Sequence, residues 1–138
     1  MNTPPGRSSA AASYTTLRTK TADRSIGLAG GAGDTSISQA TLNALGGASG
    51  FRSITVGAGN GAIVANALSL NTALILNAGT ADITLAGDIT TTGAQQYNSN
   101  VTIGGTGTRT LSASALSLNG TLNVDSHNIV LLADTLSV

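Results

Sequence analysis

The stretch Ala67-Leu68-Ser69-Leu70-Asn71-Thr72-Ala73-Leu74-Ile75-Leu76-Asn77, continued by Ile83-Thr84-Leu85-Ala86-Gly87-Asp88-Ile89-Thr90, decides the fold. Aliphatic residues alternate in it with Ser, Thr or Ala, and Asn, Gly or Asp interrupts them every few positions. A period of two marks strands with one buried face. The phrase is then written again. Ala67-Leu68-Ser69-Leu70-Asn71 returns letter for letter as Ala115-Leu116-Ser117-Leu118-Asn119, 48 residues on. Ile83, Leu85 and Asp88 return as Ile129, Leu131 and Asp134, 46 residues on, while Leu74 answers Leu122 and Leu76 answers Val124. A chain that repeats short strands in this way stacks on itself. Taking one turn of the stack as half the repeat predicts roughly 20–24 residues per turn, each rising about 4.8 Å.

The same alternation runs outward from that stretch. Ile54-Thr55-Val56 and Ile63-Val64 precede it; Val101-Thr102-Ile103, Leu111, Leu116-Ser117-Leu118, Leu122-Asn123-Val124 and residues 129–132 follow. Between them stand turn signals: residues 57–61 with Asn60-Gly61, Asn77-Ala78-Gly79, Gly104-Gly105, Asn119-Gly120 and residues 125–128. Runs this short do not suit an ordinary sandwich and do suit the sides of a coil. The apolar letters face inward and stack, the hydroxyls face water, and Asn and Gly turn the corners by tolerating positive φ.

Upstream the pattern weakens. Residues 1–24 hold both prolines and no sustained period, and carry Arg7, Arg18, Lys20 and Arg24 against Asp23. They read as a flexible leader, although Tyr14 to Leu17 could pair as a first strand; residues 25–138 form the repeat segment. Ser25-Ile26-Gly27-Leu28 is a short strand ended by the glycine-rich turn 29–33, and residues 35–38 extend again. Over 39–45, Leu42 and Leu45 stand three apart and Ser38 can cap a first turn, which predicts the only helix, a brief one. The chain stops in mid-alternation at Thr135-Leu136-Ser137-Val138 and reads as a piece of something longer.

Composition bounds the chemistry. The apolar fraction of 41% is nearly all Ala, Leu, Ile and Val, with Phe51, Tyr14 and Tyr97 the only aromatics and no Trp. Such side chains fill a thin, regular interior of aliphatic rows. Charged residues make up 9%, against about 25% in an average soluble domain. Net charge is zero, so no general attraction to nucleic acid is expected. Without cysteine there is no disulfide and no thiolate site. No apolar run is long enough for a membrane span, and the N-terminus has no secretory h-region, so an export signal would lie outside this chain.

Candidate sites are weak. Calcium-binding turns need Gly-Gly-x-Gly-x-Asp. Gly104-Gly105-Thr106-Gly107-Thr108 places Arg109 at the ligand position, and Gly30-Gly31-Ala32-Gly33 places Asp34 one position early. A β-helical polysaccharide lyase or hydrolase needs clustered carboxylates, and Asp82 with Asp88 is the nearest pair, with Lys20 far off in the leader. Asp88 and Asp134 recur in the repeat and read as corner residues. His127, between Ser126 and Asn128, reads as a solvated turn residue with no second histidine for a metal or a triad. Asn100-Val101-Thr102 and Asn119-Gly120-Thr121 match the glycosylation sequon, but Asn119-Gly120 already serves a turn. An ice-binding surface needs ranks of Thr-x-Thr, and only Thr90-Thr91-Thr92 offers the spacing. No catalytic, cofactor-binding or metal-binding residue is expected.

Several phrases are more specific than composition. Residues 23–33, then 36–45, then 50–57, together with Ile89-Thr90-Thr91-Thr92-Gly93-Ala94-Gln95-Gln96-Tyr97-Asn98 leading to Val101-Thr102-Ile103, form a pattern. It resembles the repeats of filamentous-haemagglutinin-like and β-strand-repeat adhesin passengers of very large bacterial surface proteins, of the two-partner-secretion or autotransporter type. The resemblance implies a right-handed parallel β-helix (a β-solenoid) in an exported, extracellular or cell-surface bacterial protein. It implies no enzymatic activity and no cofactor. The expected role is structural and adhesive: a fibre or stalk with a binding surface for host-cell or surface glycans or proteins, able to associate through its ends or with neighbouring repeats. A carbohydrate-active β-helix enzyme is the alternative, and an ice-binding solenoid a lesser one.

Overall fold

In a computed structural model, described over residues 14–46, 53–57 and 59–138, the chain winds into a β-solenoid of about four turns with one short helix. Fourteen strands are described, most of three to five residues, and every strand pairing is parallel. They form three stacks. The first comprises β1 (Tyr14–Arg18), β4 (Ser53–Gly57), β7 (Ala73–Asn77), β10 (Gln95–Tyr97) and the end of β12 (Arg109–Leu118). The second comprises β3 (Thr35–Ile37), β2 (Ile26–Leu28), β5 (Ile63–Ala65), β8 (Ile83–Leu85), β11 (Val101–Ile103) and β13 (Leu122–Asn123). The third comprises β6 (Leu68–Leu70), β9 (Ile89–Thr91), the start of β12 and β14 (Ile129–Ser137). β12 and β14 run on around the corner from the third stack to the first, so at ten and nine residues they are longer than the short runs expected.

Register gives the turn length. From β4 onward a residue meets its partner on the next coil 18 to 22 positions later, as in Ile83↔Val101 and Leu111↔Ile89. The expected 20–24 overlaps this range, although one turn is not half of the written repeat. Leu68 lies in the third stack, whereas its repeat partner Leu116 lies in the first; Leu74 lies in the first and Leu122 in the second. The written repeat thus spans two turns plus one face. Leu-x-Leu fits every face equally well, so a copied phrase need not land on an equivalent one.

The interior consists of continuous side-chain columns. Leu17, Val56, Leu76, Tyr97 and Leu118 form one; Ile26, Ile63, Ile83, Val101 and Leu122 another; Leu68, Ile89, Leu111 and Leu131 a third. The alternation of buried and half-buried residues along β4, β5, β7, β8 and β11 matches the period-two reading. Each fully buried aliphatic side chain contributes about 1.5–3 kcal/mol. Parallel neighbours above and below satisfy the strand backbones.

The first coil is enlarged. Tyr14 is 39 residues from its partner Ser53, because β3 and the helix α1 (Gln39–Gly46) are inserted there. β3 lies on β2 at a separation of only nine residues, Ile26↔Thr35. α1 begins as expected: Ser38 Oγ accepts from the Thr41 N–H at 3.1 Å, and Leu42 is fully buried against the coil below. The leader expected over 1–24 contains β1, which joins the first stack at the position allowed for Tyr14 to Leu17; residues 1–13 lie outside those described.

Candidate functional surface

What the corners do differs from the expectation that Asn and Gly serve there through positive φ. Gly30, Gly59, Gly79, Gly105 and Gly107 do take positive φ, together with Asp23, Ala29, Asp125 and Ser126, but no asparagine among the described residues does. The asparagines are stacked instead. Asn98 Nδ2 donates to Asn77 Oδ1 at 2.6 Å, and Asn119 Nδ2 donates to Asn98 Oδ1 at 2.7 Å. A carboxamide is both donor and acceptor, so identical amides one coil apart satisfy each other, whereas stacked carboxylates would repel.

Other corner side chains hold the backbone of an adjacent coil. Asn60 Oδ1 accepts from the Thr80 N–H, Asn100 Oδ1 from the Thr121 N–H, Asp23 Oδ1 from the Asn60 N–H and Asp88 Oδ1 from the Thr110 N–H. Of the two sequon asparagines, Asn119 spends its Nδ2 on the amide ladder, while Asn100 holds the Thr121 N–H through its Oδ1. Asp82 precedes β8 and Asp88 precedes β9, so the two lead into different stacks. Asp88 and Asp134 do occupy corners, but different ones: Asp134 sits where β14 passes from the third stack to the first. Among the described residues no three acidic or histidine side chains gather as a metal-binding group.

Arg109 stands where a calcium turn needs aspartate, and its guanidinium gathers acceptor oxygens as an ion would. Nη2 donates to the Gly104 carbonyl at 2.8 Å and Nη1 pairs with Asp88 at 3.3 Å, while Nε is buried without a hydrogen-bond partner. The second near-miss is also occupied: Asp34 Oδ2 accepts from the backbone N–H and the hydroxyl of Ser25, tying the starts of β2 and β3 together.

His127 lies in a turn, as expected, but bridges two coils. Its Nδ1 faces the Val124 carbonyl at 3.0 Å and its Nε2 faces the Gly105 carbonyl at 2.9 Å. Only the doubly protonated ring can donate to both, so the Gly105 carbonyl first, then that of Val124, raises its pKa above the ordinary value.

Inside the coil Gln95 and Tyr97 form a polar cluster. Tyr97 is fully buried and its hydroxyl donates to Gln95 Oε1 at 2.6 Å; Gln95 Nε2 donates to the carbonyls of Ile89 and Ser112. Burial pushes the Tyr97 phenol far up, so it remains a neutral donor. Every polar atom of the pair is engaged, which makes it a cross-brace between the first and third stacks. Thr91 is buried with its hydroxyl donating to the Gly93 carbonyl, and Thr90 is flanked on neighbouring coils by Ser69 and Ser112, so no rank of Thr-x-Thr forms there.

Two hollows open on the surface of the described residues: one of about 390 Å³ between residues 105–108 and 125–128, beside His127, and one of about 220 Å³ on the outer face of the first stack. Arg18, Lys20, Thr16, Thr55 and Asn77 line the smaller one, and Gly57 forms part of its wall. This smaller hollow is not legible in the sequence, since its parts come from three coils. No helix among the described residues is long and apolar enough to cross a membrane. Comparison of the chain with models of protein families, with curated proteins and with solved structures finds no match.

Proposed function

We propose that the chain is a structural segment of a large exported bacterial surface protein of the filamentous-haemagglutinin-like kind, acting as stalk and binding surface. One observation carries this reading: coil after coil repeats the same interior columns and the outer amide ladder, while the acidic residues are scattered over separate corners, where Asp23, Asp34 and Asp88 already hold backbone N–H groups. Such an object resists load and offers side chains at a fixed pitch of about 4.8 Å. It does not converge acids on one bond, which the enzymatic alternative needs. The phrases that carry the resemblance take coherent places in the fold: residues 36–45 run through β3 and α1, and 89–103 run through β9, β10 and β11. The lower edge of β14 is the surface on which further coils of the polypeptide, or a second copy, add.

The test is mechanical. Pulled by its ends, the chain is expected to open coil by coil, each coil of about 20 residues releasing roughly 70 Å of contour. Unfolding without resistance, or release of new reducing ends from a polysaccharide by the purified chain, would overturn the proposal.

A further inference from the structure

We propose that the hollow beside Gly57 binds the carboxylate of a uronic acid in an oligosaccharide. Four cationic side chains are described. Arg24 lies 3.9 Å from Asp34 and Arg109 lies 3.3 Å from Asp88. Arg18 and Lys20 have no carboxylate at ion-pair distance among the described residues, and both line this one hollow. In a chain with so few charges, that placement gives the hollow a net positive charge, two cations against the one carboxylate of Asp23 beside Gly59.

The hollow exists because a rung is missing. Arg18 stands over Gly57 and Gly57 over Asn77, at the head of the column that continues as Asn98 and Asn119. A Cβ built on Gly57 would meet nothing within 4 Å. Along the ladder each Nδ2 donates to the coil above, so the Asn77 amide turns its NH₂ toward the empty rung. The Thr16 and Thr55 hydroxyls complete the lining. Arg, Lys and amide donors with two hydroxyls suit an oxyanion flanked by sugar hydroxyls. The nearest acid in sequence, Asp23, is engaged with the Asn60 N–H at 2.8 Å.

Tyr14 extends the site. It is 79% exposed and lies on the same outward face of β1 as Thr16 and Arg18. Four residues of strand place it about 13 Å from Arg18, within reach of a short oligosaccharide. Its ring offers an apolar platform to the C–H face of a pyranose. Ala22 is the one aliphatic side chain in the lining and no large hydrophobic residue takes part, which favours a sugar over the side chains of a peptide. This inference rests on the binding-surface part of the proposed function; the stalk role does not depend on it.

The experiment follows backbone amide signals of the full 138-residue chain during titration with an oligogalacturonate. Its methyl ester, inorganic phosphate and an aspartate-rich peptide serve as comparisons. The proposal expects shifts centred on Arg18, Thr55 and Asn77, and an affinity at least about tenfold weaker for the methyl ester, the loss of one charge-assisted contact. Arg18→Gln with Lys20→Gln should abolish the response. Gly57→Asn, which fills the rung and extends the ladder, should abolish it with the melting temperature unchanged or raised. The proposal is overturned if oligogalacturonate gives no localised shift, if its methyl ester binds as well, or if the Gly57→Asn chain still binds. Equal competition by phosphate would mean an adventitious ion only, and equal binding of the peptide would remove the saccharide assignment. Either result leaves the coil-by-coil mechanical test untouched.

Discussion

The two ends of the solenoid are finished differently. At the N-terminal end the third stack begins with β6, which among the described residues has no strand above it. A side chain takes that strand's place: Gln39 Nε2 donates to the Ser69 carbonyl at 2.9 Å, and Gln39 Oε1 accepts from the Ser69 N–H at 3.0 Å. Leu42 of α1 seals the aliphatic columns beneath it. The other two stacks end in β3, only three residues long, and in β1, which carries Arg18; short or charged edges recruit other strands poorly. At the opposite end β14 runs nine residues with Asp134 as its only charge, and Leu132 and Leu136 are 52% and 50% exposed. One amide and one leucine separate a covered end from an open one.

The largest expected effect comes from unsealing the covered end. Leu42→Ala should cost about 3 kcal/mol in chemical denaturation, as expected for a fully buried leucine. Leu136→Ala at the open end should cost less than about 1 kcal/mol. Equal costs would mean that the ends are alike. Next comes Gln39→Ala, which strips both partners from Ser69 and should cost about 1–2 kcal/mol.

Charge at the open edge should change association more than stability. Val130 and Ser137 both point outward. Val130→Lys with Ser137→Lys is expected to leave the melting temperature within a degree or two and to abolish concentration-dependent association in light scattering. A wild-type chain that stays monomeric at high concentration would contradict the open-edge reading.

A smaller effect lies in the clip between the last two coils. The folded pKa of His127 is raised, so its stabilisation is fully present below the ordinary imidazole value of about 6.5 and is lost as pH rises through the folded pKa. Melting temperature should therefore decline through that window in the wild type and not in His127→Gln. Parallel profiles would show that the two carbonyl contacts carry no stability.

Legibility followed the chemistry of each coil. Strands with Ile-x-Leu or Leu-x-Leu were readable because inward and outward positions differ in polarity. β10 was not, because its inward residues are Gln95 and Tyr97, whose polarity is cancelled only by each other and by carbonyls six and seventeen residues from Gln95. Ser38 announced α1 locally, yet the pairing of Gln39 with Ser69 depends on a register 30 residues away. The hollow was hidden for the same reason: Arg18, Gly57 and Asn77 meet only once the coils are stacked. The repeat misled in one respect, since similar faces accept the same phrase and its period is not the period of the coil.

Backbone hydrogen exchange tests the central claim, a stacked coil covered at one end and open at the other, most directly. The account predicts slow exchange through β5, β8 and β11, protection of the Ser69 N–H comparable to theirs although β6 is an edge strand, and fast exchange at those β14 amides that point away from β12. Replacing Gln39 by alanine should release Ser69 alone among these. A Ser69 amide that exchanges as fast as the outer amides of β14 in the wild type, or a β14 as protected as β8, would contradict it.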